Sequence, residues 1–235
     1  MTLNFSKHNR KLNELAKSLN LKNKEVVAFD LPAGHTCQMA DKCKATAHRI
    51  TGKITDGAQM QFRCYASSIE SAFSSVRNAH WQNFEAIKGM TSGTIATLIL
   101  NEMPKGVKVV RIHSSGDFFS RDYFNAWLQV AKNRPEIRFF GYTKVLDYVQ
   151  ADKPQNFKLV YSFGGKMDSQ LTNEPTAYVV LNAEVAKAKS LQVACPQEAP
   201  ANDFFHVMAV ATFALCLHGT QPARRKAGNI APLTA

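Results

Sequence analysis

Apolar residues recur at two periods along this chain, and the switches between them set the first expectations. Leu12, Leu15, Leu19 and Leu21, with polar residues between, approach the spacing of an amphipathic helix and predict one over residues 6–22. EVVAFDLP (25–32) is short and β-branched, is closed by Pro32 and Gly34, and predicts a strand. A polar, cysteine-bearing segment follows (32–66), in which TGKITDG (51–57) predicts a hairpin or tight loop. Helical patterning resumes from Ala66 to about Lys88. A further helix is predicted to begin at the cap-type Thr91 or Ser92 and to stop before Pro104.

Beyond it strands and helices alternate. VKVVRIH (107–113) predicts a strand, and SRDYFNAWLQVAKNRP a helix capped by Ser120 and ended by Pro135, with Phe124, Trp127 and Leu128 on one face. Strands are predicted again over 136–144, 157–165, 176–182 and 190–195, with VLDYVQA as a short helix between the first two of these. DFFHVMAVATFALCLHG predicts a last apolar helix over about 202–218. Successive strands with helical connections predict a parallel sheet. The expected fold is one α/β domain spanning 1–235, an open or partial parallel α/β barrel of about six strands with the cysteine loop after its first strand.

Composition narrows the class without naming a function. The chain has 235 residues, 45% hydrophobic and 20% charged, which suits one domain able to bury its core without disulfide staples. No signal-like amino terminus and no run of eighteen apolar residues is visible, so a cytoplasmic protein that does not cross a membrane is expected. Thiols stay reduced in that compartment, and five cysteines is an odd number for a closed disulfide set. The net charge of +11 makes nucleic acid a candidate partner through a basic surface. Against that reading, the charges are scattered, densest at Arg224-Arg225-Lys226 and at Lys7, Arg10, Lys11, Lys17, Lys22 and Lys24, as on a solvated basic face.

In parallel α/β folds the strand carboxyl ends converge on one rim, where sites are built. The predicted rim carries the cysteine loop, HSSGDFF, GYTK, SFGGK and Cys195. Cys37, Cys43 and Cys64 stand in a C-x5-C-x20-C spacing, wider than the paired C-x2-4-C of zinc fingers and ribbons. Thiolates at this spacing leave an iron–sulfur cluster, zinc and no metal all open. For a fourth ligand, Cys195 is the first candidate because Pro196 follows it. Cys216, His35 and His218 come after it. Ser115, Gly116 and Asp117 form a turn suited to the polar end of a small ligand, or Asp117 caps the next helix. His113 is a candidate ligand or proton carrier, or a hydrogen-bonded packing residue. Tyr142 and Lys144 are rim residues or a plain strand end. SFGGK is no Walker loop, lacking the first glycine and the Ser/Thr after lysine. Phe118, Phe119, Tyr123, Phe124 and Trp127 read as core.

PAGHTC…C…FRCYAS, followed by RIHSSGDFFSRDYFNAW and FFGYTK, resembles the phage gene product 88 family, uncharacterised proteins found largely in bacteriophages. The likeness runs from about Leu31 to Cys216. That family often carries a Cys-Pro pair and then further clustered cysteines; here only Cys195-Pro196 and Cys216 represent them, which implies a single site. The order of strand, three-cysteine loop, helix, and second strand with a Gly-acidic turn is more distantly similar to radical S-adenosylmethionine barrels. That likeness implies Cys37, Cys43 and Cys64 as ligands of a [4Fe–4S] cluster, and Ser115-Gly116-Asp117 as the turn that holds the methionine amino group. The spacing here is wider than the superfamily's C-x3-C-x2-C, and a fourth thiolate from Cys195 would leave no iron open for S-adenosylmethionine.

The expected function is therefore an iron–sulfur protein of phage type in the host cytoplasm, with one [4Fe–4S] cluster on Cys37, Cys43, Cys64 and Cys195. Electron transfer (with an electron donor as partner), sensing or fold stabilisation is its expected role. The alternatives are a radical S-adenosylmethionine-like enzyme on three thiols and a zinc-stabilised module that binds nucleic acid.

Overall fold

The computed structural model of the chain describes residues 2–7, 9–194 and 202–222. Strand β1 (Phe5–Ser6) and helix α1 (Arg10–Ser18) come first, the helix capped by Asn9, whose Oδ1 accepts the Leu12 N–H at 2.8 Å. Strand β2 (Val26–Phe29) leads into a small hairpin, β3 (Ala45–Ala47) and β4 (Ile54–Asp56). Helices α2 (Tyr65–Ala72), α3 (Ser74–Ile87) and α4 (Ser92–Glu102) precede β5 (Val109–Ile112). Then follow α5 (Arg121–Asn133), β6 (Arg138–Thr143), α6 (Leu146–Gln150), β7 (Phe157–Ser162) and β8 (Thr176–Val180). The described chain closes with α7 (Ala183–Ala188), β9 (Val193–Ala194), α8 (Asn202–Met208) and β10 (Phe213–Cys216).

Eight strands form one sheet in the order β1-β2-β5-β6-β7-β8-β10-β9, parallel except for β1, which pairs antiparallel with β2. From β2 to β8 each new strand is laid beside the last in one direction. Right-handed crossovers then put every connecting helix on one face. That face holds Val27, Phe29, Val110, Ile112, Phe139, Phe157 and Leu159 against Ile95, Ile99, Tyr123, Phe124 and Trp127 from α4 and α5. At the far edge the direction reverses, because β9 lies outside β10. The same handedness sends α8 to the opposite face, where Phe204 and Val207 meet Leu12 and Leu15 of α1 over Val26, Ala28, Val109, Phe140 and Val160. The two-period pattern of the chain thus becomes a sheet covered on both sides, with each buried aromatic contributing about 1.5–3 kcal/mol.

Several expectations stand and several are corrected. Strands 25–32, 107–113, 136–144, 157–165 and 176–182 each contain an observed strand, and the Thr91 and Ser120 caps accept N–H groups from Thr94 and Tyr123. The architecture is an open, mostly parallel eight-stranded sheet flanked by helices, not a barrel among the described residues. The helix expected over 202–218 ends at Met208, and Phe213–Cys216 is a central strand between β8 and β9. A short apolar run reads alike as helix or buried strand, and the turn at Val210, with φ +53°, separates the two. The helical stretch 66–88 is broken at Phe73, and the helix placed over 6–22 is shorter because Phe5 and Ser6 extend the sheet. Phe118, Tyr123, Phe124 and Trp127 are core as expected. No described helix is long and apolar enough to cross a membrane.

Gly141 of β6 has no room for a side chain between β5 and β7. A Cβ there would lie 2.4 Å from the Ile112 carbonyl oxygen and 3.3 Å from a Leu159 methyl. Gly141→Ala therefore has to push backbone apart in the middle of the sheet. It is expected to cost about 1–3 kcal/mol, read as a lower urea midpoint with an unchanged slope.

Candidate functional site at the strand carboxyl ends

The register aligns Phe29, Ile112, Gly141 and Leu159 across four neighbouring strands, so their carboxyl ends reach one rim together. A cavity of about 170 Å³ opens there. Cys37, Cys43 and Cys64 all line it, and so do Ser115, Gly116, Asp117, Tyr142, Lys144, Cys216 and His218. Residues separated by up to 207 positions in the chain, Lys11 and His218, share this one space.

The cysteine segment is held over the rim by backbone rather than by its thiols. Ala40 bridges Gly165, the Lys42 N–H donates to the Gly164 carbonyl at 2.9 Å, and Lys166 N–H donates to the Met39 carbonyl at 2.9 Å. SFGGK thus docks the cysteine loop. Its turn is fixed by Asp168, whose carboxylate accepts the Gly164 and Gly165 N–H groups and the Tyr161 hydroxyl. Within the loop, Lys44 Nζ donates to the carbonyls of Gly34 and Cys37 at 2.7 and 2.8 Å.

The Ser-Gly-Asp turn is equally braced. Asp117 does not cap α5, which is Ser120's part; its Oδ1 accepts the Phe118 N–H and its Oδ2 the Lys144 N–H, at 2.7 and 2.9 Å. Gly116 sits at φ +89°, where a Cβ would strike Leu31 and the Thr36 hydroxyl, both 2.7 Å away. Lys144 Nζ is spent on Ser162 and Phe163, donating to both carbonyls and to the Ser162 hydroxyl. Behind the turn lies a polar group absent from the sequence expectations. Glu70 Oε1 accepts from the Ser115 hydroxyl at 2.8 Å and the Ala33 N–H at 2.8 Å, and pairs with His80 Nδ1 at 2.7 Å. Asp30 accepts the Ser114 and Ser115 N–H groups.

Burial shapes the protonation of these groups. It pushes the Cys64 thiol up to about 12, helped by the neighbouring Cys43 charge, and raises Cys37 as well, helped by Asp117, Cys64 and Cys43. The Asp117 carboxyl is also raised by burial, against the pull of its backbone donors. The thiols are close enough to feel one another's charge. Among the described residues, however, no three Cys, His, Asp or Glu side chains stand in a metal-holding group. The donor set fits a thiophilic metal in kind: three half-buried thiols on one cavity wall, which a multivalent cation would deprotonate. Their spacing is not already closed.

His113 sits at φ +72° at the end of β5, its Nε2 2.9 Å from the Tyr123 hydroxyl and its Nδ1 buried without a partner. Burial lowers its pKa to about 3, so the folded protein keeps it neutral. The unfolded chain takes up that proton below about 6.5, so this residue removes stability as pH falls from 6.5 toward 3. His80 runs the other way: burial lowers it, but the Glu70 hydrogen bond and the Asp30 charge outweigh burial and raise it. Its contribution is complete below 6.5 and is lost as pH rises through the raised folded value. His113→Asn, which tolerates the left-handed backbone, is expected to lose less stability than the parent between pH 7 and pH 4.5, compared by urea midpoints.

Of the expected ligands, Cys37, Cys43 and Cys64 are brought together on the cavity. Cys195 lies outside the described residues. Cys216 reaches the cavity from β10, and His218 lines it with its ring 4.5 Å from that of Tyr65. His35 does not line it; it packs on Trp81 and Phe84 at 4.6 and 5.0 Å. Sequence reading missed Arg111 and Asp203, which pair at 3.1 Å inside the cavity, and Lys11, which stands 3.8 Å from Asp203. The signal for the first was an arginine inside the apolar strand VKVVRIH, since a buried charge requires a partner.

Residues 3–229 match the family model described as Gene product 88. The chain is 28% identical over 177 residues to the Gene 88 protein of Mycobacterium phage L5, covering 66% of this chain and 74% of that protein. It is 31% identical over 111 residues to the Gene 88 protein of Mycobacterium phage D29, covering 42% of this chain and 46% of that one. No solved structure matches.

Proposed function

The chain belongs to the gene product 88 family, and for it we propose an iron–sulfur protein of bacteriophage type that uses the rim thiols as cluster ligands. The observation that carries this reading is the meeting of Cys37, Cys43 and Cys64 on one cavity wall, on a loop whose backbone is pinned to the β7 turn. Nothing about disulfides or helix packing requires three thiols there. A [4Fe–4S] cluster supplies one-electron transfer when bound. The chain's own part is to present the thiols, exclude water through the buried Asp117 and Phe62 surroundings, and admit an electron donor at the rim. The fourth ligand in this proposal is Cys195, with Cys216 as the alternative thiol already at the cavity.

A second reading rests on the Ser115-Gly116-Asp117 turn, which lines the same cavity as the thiols. In it, three thiols suffice and the turn holds the amino end of S-adenosylmethionine, as in radical enzymes. Asp117 supports this less than its position suggests, because both of its oxygens already accept backbone N–H groups. The test is visible absorption of protein isolated without oxygen. A broad band that bleaches on reduction and is absent from Cys64→Ser supports the cluster. A colourless protein that binds zinc and duplex DNA in a salt-dependent way would replace it with the nucleic-acid module.

A further inference from the structure

The cavity has a second end, built from different residues and a different chemistry. Arg111 projects from β5 onto the face covered by α1 and α8, with its guanidinium 5.6 Å from the Tyr142 ring centroid and 5.9 Å from that of Phe140. Lys11 reaches the same place from α1. Both cations depend on one carboxylate: Asp203 Oδ2 takes Arg111 at 3.1 Å, Lys11 at 3.8 Å and the Tyr142 hydroxyl at 3.3 Å. The other cations of the lining are committed elsewhere, Arg63 to Asp56 by two hydrogen bonds and Lys144 to carbonyls of the β7 end. Two cations at this end therefore share a single carboxylate within ion-pair distance, and Asp30 acts on Arg111 only from farther off.

Unfilled hydrogen-bonding capacity accompanies the excess charge. Arg111 Nε, His113 Nδ1 and Ser114 Oγ are buried without partners, and all three residues line the cavity. Buried polar atoms of native proteins are ordinarily satisfied, so Arg111 Nε and Ser114 Oγ point to a polar occupant; the His113 ring turns to the other face of the sheet, against Phe118 and Tyr123. Lys11 behaves accordingly: burial and the Arg111 charge lower its pKa to about 8 despite Asp203. The lining also has an apolar part, with Val179 and Leu215 paired across β8 and β10 and the rings of Tyr65 and Tyr142.

We propose that Arg111 and Lys11 form a binding site for a small organic oxyanion, a carboxylate or phosphate on an apolar or aromatic body. The anionic group supplies a second negative charge and accepts from Arg111 Nε, while the body lies along Val179, Leu215 and the tyrosine rings. The cations and the thiols line the same cavity, so the titration is also made on a variant that lacks a thiol.

Thermal shift and calorimetric titration of the full chain with benzoate, phenyl phosphate, inorganic phosphate and benzamidine test this. Benzoate or phenyl phosphate is expected to stabilise the protein, and which of the two binds more tightly identifies the oxyanion. Inorganic phosphate is expected to bind more weakly for want of a body, and the cation benzamidine not at all. Lys11→Met, which leaves the Arg111–Asp203 pair intact, is expected to weaken binding about tenfold, and Lys11→Arg to restore it. The same affinities in Cys64→Ser would keep this result separate from the fate of the cluster. Stabilisation by benzamidine, anion binding unaltered by Lys11→Met, or no binding of any anion at millimolar concentration would each overturn the proposal.

Discussion

Asp203→Ala is expected to lower the unfolding free energy by about 3–5 kcal/mol, the cost of leaving buried cations without their carboxylate. Asp203 is 5% exposed and Arg111 6%, and no other carboxylate approaches Arg111 within ion-pair distance among the described residues. The substitution also removes the interaction that holds the Lys11 pKa up, so Lys11 falls further below about 8. A lysine with a depressed folded pKa binds fewer protons folded than unfolded, and stability then rises with pH through that window. The deficit of Asp203→Ala should accordingly be largest near pH 7 and smaller near pH 9, as Lys11 gives up its proton. Urea denaturation at the two pH values measures it. Replacing both partners, with Arg111→Met and Asp203→Leu together, should recover only part of the loss, because the Arg111 charge is removed with its partner while Lys11 is still left without a carboxylate.

The second large effect concerns metal content. Cys37→Ser, Cys43→Ser and Cys64→Ser should each reduce bound iron from about four per chain to near zero, since a cluster missing one of three clustered thiolates is not retained. The metal-free fold should hardly change, because the loop is anchored by Ala40, Lys42, Lys44 and Lys166 backbone and side-chain bonds rather than by sulfur. Cys195→Ser and Cys216→Ser then separate ligation by four thiolates from ligation by three. Iron analysis beside circular dichroism of each variant distinguishes a lost ligand from a lost fold.

The sheet was legible where sequence carried strong local chemistry. EVVAFDLP and VKVVRIH are β-branched runs bounded by Pro32 and by the turn at Ser114–Gly116, and both are strands with fully buried residues. The rim followed from them, because strand ends in a parallel sheet converge whatever the loops do. FALC was misread because four apolar residues have no period, and only the slot between β8 and β9 makes them a strand. β1 escaped notice since two residues at an edge leave no pattern. The thiols were visible by spacing. The Glu70–His80 pair and the Arg111–Asp203 pair were not, because their partners lie 10 and 92 positions apart and meet only once the helices are packed.

The most direct measurement is iron and acid-labile sulfide per chain in protein isolated without oxygen. About four of each per chain, lost together in Cys64→Ser, is the result the account predicts. One zinc per chain with no sulfide, retained through the same purification, would contradict it.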